Sequence, residues 1–247
     1  MTAMYLKNVL LFGFAVIVYT QASFGQIIYT TSKYGLQVIE KKKSYKQLVE
    51  RDSQQELVDL KTLVPDAIID VRYATKNNLI GQKIYPRAEV FLRKPAALAL
   101  QSVNERLKSQ GYGLVLHDGY RPYAVTELFY EKIQNTTYVA DPRKGSRHNR
   151  GMAIDLSMYS LATGQIVSMP SGYDETTERA WHSYENTSEE AKRHRDILKK
   201  AMLEAGFEIY VWEWWHYDFQ GWQECPVFNI SHRKIKKANQ ELLNKQK

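Results

Sequence analysis

Two short runs of this 247-residue chain supply side chains that could do chemistry: SRHNRGMAIDL at 146–156 and EWWHY at 213–217. Between them they contain His148, Asp155, His216 and Glu213. Two imidazoles and one carboxylate suit a divalent zinc ion, and three protein ligands leave a fourth tetrahedral position open for water. An open position belongs to hydrolytic rather than structural zinc. Glu213 precedes His216 by three residues, so a tight turn there would bring its carboxylate to the open position as general base. Zinc lowers the pKa of such a water from about 15.7 to about 7, within reach of that base. A lone histidine or a strand aspartate means little by itself; the combination carries the expectation of one Zn2+ per chain.

Arg121 lies in DGYRP (118–122), just after an apolar strand and a glycine-containing turn, a place from which a guanidinium can point into a cleft. Its donors could stabilise an oxyanion by a few kcal/mol (about 3). The other reading of Arg121 is a buried ion pair with Asp118 or Asp70.

Several elements must position these groups. Residues 45–60 suggest a first helix, and AIIDVRY at 67–73 has strand character. Residues 94–108 place Ala97, Leu98, Leu100 and Val103 at helical spacing and stop before Gly111. A short apolar strand follows at 113–117, then a helix from Pro122 to about residue 133, then loop to 150. Residues 152–159 with ATGQIV at 162–167 read as a hairpin carrying Asp155. Thr187 and Glu190 form a candidate capping box for a helix ending near Gly206, and a last strand at 207–212 delivers Glu213 and His216. Helices and strands mix without strict βαβ alternation, so the expected class is α+β: a central, mainly antiparallel sheet flanked by helices, with the zinc site on the sheet.

In order and internal spacing, DGYRP, SRHNRGMAIDL, SGYDE (171–175) and EWWHY resemble the VanX-type D-alanyl-D-alanine dipeptidases, zinc D-Ala-D-Ala peptidases of family M15. The resemblance runs from about DVRYATKNN (70–78) to EWWHYDF (213–219). It implies a fold shared with hedgehog-like and D-Ala-D-Ala peptidase domains. It also implies that His148, Asp155 and His216 are zinc ligands, Glu213 the catalytic base and acid, and Arg121 the carbonyl-polarising residue. By the same comparison Asp174 and Ser146 meet the free amino end of the substrate, and Tyr85 belongs to the substrate pocket. The substrate implied is a small D,D-dipeptide, cut to two D-alanines in peptidoglycan turnover or scavenging. A D,D- or L,D-carboxypeptidase acting on stem peptides is the first alternative. A non-catalytic zinc-containing wall-binding protein is the second, and Glu213 argues against it because binding alone needs no base. Asp174 discriminates dipeptidase from carboxypeptidase, since a free ammonium group calls for a carboxylate; its other reading is a turn aspartate.

Residues 1–25 combine Lys7, an apolar stretch from Val9 to Val18 and small residues around Ser23 and Gly25, the pattern of a cleaved secretory signal. Export to the periplasm or beyond is therefore expected, without stable membrane insertion. Residues 26–247 then form a single zinc peptidase domain. Cys225 is the one cysteine, so an internal disulfide is impossible and the thiol is expected to pack. The net charge of +7 loses one with Lys7, and much of the excess lies in a basic amphipathic helix at about 231–247. No nucleic-acid partner is expected.

Overall fold

The computed structural model describes residues 26–133 and 138–245. The signal expected at 1–25 lies outside the described residues, as do 246–247. The chain begins with β1 (Thr30–Thr31), β2 (Gln37–Ile39), α1 (Lys42–Arg51), β3 (Leu57–Asp59), α2 (Leu60–Leu63) and β4 (Ile68–Ile69). Next come β5 (Phe91–Arg93), α3 (Lys94–Lys108), β6 (Tyr112–Asp118), α4 (Tyr123–Lys132) and β7 (Ala153–Ser160). The last elements are α5 (Glu189–Leu203), β8 (Phe207–Tyr210), β9 (Glu213–Phe219), β10 (Val227–Phe228) and α6 (His232–Lys245).

The site is built on a five-stranded sheet of order β4-β6-β7-β9-β8. β4 runs parallel to β6 and the other pairings are antiparallel, so the α+β class with a mainly antiparallel sheet holds. Side chains alternate across a strand, and here the alternation separates core from chemistry. Leu114 and Leu116 on β6, Ile154, Leu156 and Met158 on β7 and Tyr217 on β9 share one buried core with Leu100, Val103 and Leu107 of α3 and Leu198 and Met202 of α5. The residues between them, including Asp155, Ser157, His216 and Asp218, take the opposite face. Two small sheets, β1-β2-β10 and β3-β5, flank this layer. Beside them α1 and α6 enclose a second core with Tyr45, Phe91, Phe228, Ile235 and Ala238.

Several boundaries differ from the sequence reading. The helix expected at 45–60 is α1 at 42–51, because Leu57–Asp59 pair with β5 and Asp52 accepts from the Gln54 amide to start a turn. The strand expected at 67–73 keeps only Ile68–Ile69; a helical turn at 72–74 then inserts Tyr73 into the core. The cap of α5 is Ser188, whose hydroxyl accepts from the Ala191 amide, one residue after Thr187. The returning strand at 162–167 is reduced to a single bridge, Tyr159 to Ile166. The last strand splits into a hairpin: β8 ends at Tyr210, and β9 itself carries Glu213 and His216.

Two register shifts matter most. On β6, Leu116 faces Leu156 while Asp118 faces Asp155, so His117 is an extra residue that turns Asp118 toward the polar face. Between β8 and β9, Ile209 faces Tyr217 but Tyr210 faces Glu213, which leaves residues 214–216 bulged. In a regular strand, residues three apart point to opposite faces; the bulge lets Glu213 and His216 share one.

Candidate active site

The three expected ligands converge. His148 Nε2 lies 3.2 Å from His216 Nδ1, and Asp155 Oδ1 lies 3.4 Å from the first and 3.0 Å from the second. Donors bound at about 2 Å to one tetrahedral zinc sit roughly 3.3 Å from one another, so the spacing fits such an ion without rearrangement. All three residues are buried.

The remaining ring atoms are tied so that the right nitrogens face inward. His148 sits on a helical turn, 148–150, that ends at Gly151 with φ of 66°. A Cβ at Gly151 would stand 2.4 Å from Leu57 Cδ2, so glycine is required both for the backbone and for space. His148 Nδ1 donates to the Gly119 carbonyl at 2.7 Å, leaving Nε2 as ligand. His216 Nε2 donates to Asp218 Oδ1 at 2.9 Å, leaving Nδ1. Carboxylate and carbonyl partners of this kind fix the tautomer and raise ligand basicity. Asp155 Oδ2 accepts from the Tyr173 hydroxyl at 3.1 Å. Burial works against the charge of Asp155, but His148 and His216 hold its carboxyl well below the usual carboxylate range.

Glu213 Oε2 stands 3.8 Å from His216 Nδ1, beside the ligand cluster. Burial raises its pKa to about 7, with Asp155 adding to the shift and His216 and Arg121 opposing it. A carboxylate poised there can take and return a proton near neutrality. Arg121 makes the buried ion pair, with Asp118, and also lines the cleft. Its Nε and Nη2 donate to Asp118 Oδ2 at 2.9 and 2.8 Å, and Nη2 also stands 4.0 Å from Asp155 Oδ2. The guanidinium lies against the Tyr73 and Phe129 rings while still lining the cleft. Burial opposes its charge, yet Asp118 keeps it protonated.

Asp174 has φ of 64°, a left-handed conformation that a non-glycine residue adopts at some cost. One carboxylate oxygen accepts from the Tyr73 hydroxyl at 3.2 Å; the other, Oδ2, is buried without a partner. Burial, reinforced by Asp155, pushes its pKa to about 8. Ser146 lines the cleft and braces the His148 turn, its hydroxyl accepting from the Asn149 amide. Tyr85 is a correction. It is buried behind the cleft and donates to Asp118 Oδ1 at 3.1 Å, so it supports the partner of Arg121 rather than facing a substrate.

Asp218, Tyr173 and Arg147 are site residues that sequence reasoning missed. Asp218 had a signal, since it follows His216 by two residues and so shares its strand face. Arg147 Nε stands 3.2 Å from Asp218 Oδ2 in an ion pair, and its guanidinium lies over the Tyr210 and Trp222 rings. Trp214 donates to Ser171 Oγ and Trp215 packs edge-on to Tyr173, so both lock the segment. Trp212 is exposed and packs edge-on to Trp181.

The resulting cleft, of about 320 Å³, crosses the sheet. Tyr73 and Asp174 line it on the β4 side, the ligand cluster and Arg121 its middle, and Arg147, Tyr210 and Trp222 the β8 side.

The D-Ala-D-Ala dipeptidase family, peptidase M15, matches residues 53–237. The D-alanyl-D-alanine dipeptidase of Escherichia coli (strain K12) is 36% identical over a stretch covering 70% of this chain and 89% of that protein. The enzyme of the same name from Enterococcus faecalis (strain ATCC 700802 / V583) is 33% identical, covering 60% of this chain and 83% of its own. Among solved structures, the LdcB LD-carboxypeptidase aligns with 87% of this chain and 89% of its own at 19% identity and a TM-score of 0.39. By the family match and the curated relatives, this chain belongs to the D-Ala-D-Ala dipeptidase family of M15 peptidases and is a metallopeptidase.

Proposed function

We propose that the protein hydrolyses the dipeptide D-alanyl-D-alanine with zinc held by His148, Asp155 and His216. The observation that carries the dipeptide is the unpartnered Oδ2 of Asp174, buried at one end of the cleft. A buried carboxylate oxygen without a donor calls for a ligand that supplies one, and a free ammonium group does so with opposite charge. At the other end Arg147, braced by Asp218 and two rings, offers its outer donors to the free carboxylate. A small zwitterion satisfies both ends; a stem peptide lacks the amino charge that Asp174 requires. The stereochemistry is taken from the relatives' named substrate.

Zinc, when bound by the three ligands, polarises the scissile carbonyl and lowers the pKa of the attacking water. Glu213 takes the proton from that water and returns it to the leaving amine. Arg121, oriented by Asp118, stabilises negative charge developing on the carbonyl oxygen. Trp215 lines the cleft and packs edge-on to Tyr173, whose hydroxyl holds Asp155. The setting we assign is peptidoglycan turnover or scavenging after export by residues 1–25.

The test compares D-Ala-D-Ala, its N-acetylated form and a stem pentapeptide, with and without chelator. Hydrolysis of the free dipeptide alone, abolished by chelation and restored by zinc, is expected. Equal cleavage of the N-acetylated or pentapeptide substrate would replace the dipeptidase reading with a carboxypeptidase one, and activity indifferent to chelator would remove the metal.

A further inference from the structure

The positive charge of this chain is concentrated on one face. Residues 41–51 hold five cations and one anion, and α6 holds five and one. The two segments together carry +8, more than the +7 of the whole chain. They are neighbours: α1 and α6 pack side by side over Tyr45, Val49, Ile235, Ala238 and Leu242, with Lys46 paired to Glu241 and Lys245 to Glu50. On α6, Lys234, Lys237 and Lys245 fall at i, i+3 and i+11, a single stripe beside the Lys42 and Lys46 stripe of α1. Lys41, Lys43, Arg233, Lys234 and Lys237 are exposed and make no ion pair among the described residues.

The substrate cleft does not account for this charge, since no residue of α1 or α6 lines it. Exposed apolar side chains accompany the cations: Leu243 on α6, and Ile28 and Tyr29 next to α1, where the Ile28 amide donates to Ser44 Oγ. The chain also enters the fold here. Ile27 packs against the core between α1 and α6. Clustered lysines with a few apolar neighbours are what an anionic lipid surface attracts, by Coulomb forces within a Debye length and by shallow burial. No helix among the described residues is long and apolar enough to cross a membrane.

We propose that the α1–α6 face docks the protein onto the surface of an anionic phospholipid bilayer, with the cleft left free for its dipeptide. The exported chain, residues 26–247, is sedimented with vesicles of phosphatidylcholine alone or mixed with phosphatidylglycerol, at low and high salt, alongside Lys41→Glu/Lys43→Glu/Lys234→Glu/Lys237→Glu. Binding to the anionic vesicles should exceed binding to neutral ones by at least about a hundredfold, vanish in high salt and be lost in the variant, while hydrolysis is unchanged. The same four positions changed to Gln, with circular dichroism unchanged, give an intermediate loss and guard against a misfolded charge reversal. Equal binding to neutral vesicles, or binding that the charge reversal leaves intact, overturns the proposal. So does capture by a soluble polyanion with no binding to vesicles. Loss of hydrolysis in wild type would concern the dipeptidase reading alone, since the vesicle assay does not depend on it.

Discussion

Asp155 and Asp174 have carboxylates buried in the same cleft, yet the protein holds them in opposite states. Asp155 has partners on both sides, two imidazoles beside one oxygen and the Tyr173 hydroxyl donating to the other, and its pKa falls. Asp174 has one hydroxyl and an empty side, with Asp155 nearby, so its pKa rises to about 8. The residue type is the same and burial opposes ionisation in both; the partners decide. A carboxylate enclosed by fixed protein partners is ready to grip a cation held there permanently. One left half-satisfied is ready for a cation that comes and goes.

If that contrast is right, removing the charge at the two positions should produce different failures. Asp155→Asn should lose both bound zinc and hydrolysis, with activity down by at least about ten-thousandfold, read by metal analysis beside kcat. Retention of stoichiometric zinc would break the comparison at its stronger end. Asp174→Asn should keep zinc and lower kcat/KM for D-Ala-D-Ala by about a hundredfold, chiefly through KM. The N-acetylated dipeptide, which lacks the ammonium group, should not distinguish this variant from wild type.

Smaller effects sharpen the same point. Tyr173→Phe removes one of the donors around Asp155, and should weaken zinc affinity by about tenfold, measured by competition with a chromophoric chelator. The smallest effect concerns stability. Asp174 has a folded pKa above its unfolded value, so its contribution is fully present below about pH 3.9 and is lost as pH rises through about 8. Asp174→Asn should therefore raise the Tm of the metal-stripped, substrate-free protein by a few degrees (about 3) at about pH 9, and by little at about pH 4. An equal shift at both values would mean that the carboxyl is ionised without cost.

The His148, Asp155 and His216 cluster, with Glu213 beside it, was legible because metal-binding chemistry demands particular residue types, and these stood in two short runs. The helices at 94–108 and from Tyr123 were legible from apolar spacing and from Pro122 ahead of the latter. Less could be read where long-range pairing competed with local pattern. Leu57–Asp59 carries helix-compatible residues but pairs with β5, and AIIDVRY has strand composition but turns after two paired residues. Tyr85 was misplaced because an aromatic residue in a polar loop gives no sign of which neighbour its hydroxyl will meet.

Sequence by itself determined which side chains could bind zinc, which could carry a proton and in what order along the chain they occur, since those properties belong to the residues. It also determined the alternation that sends Ile154 and Leu156 to the core and Asp155 to the other face. Only the tertiary structure decided that Glu213 and His216 point the same way, that Asp118 turns to hold Arg121, and that Asp174 is left with an unsatisfied oxygen. The first two depend on bulges opposite particular partner strands, and the third on a backbone conformation held by the loop around Tyr173. Register and burial are properties of assembled neighbours, so no reading of a single strand contains them.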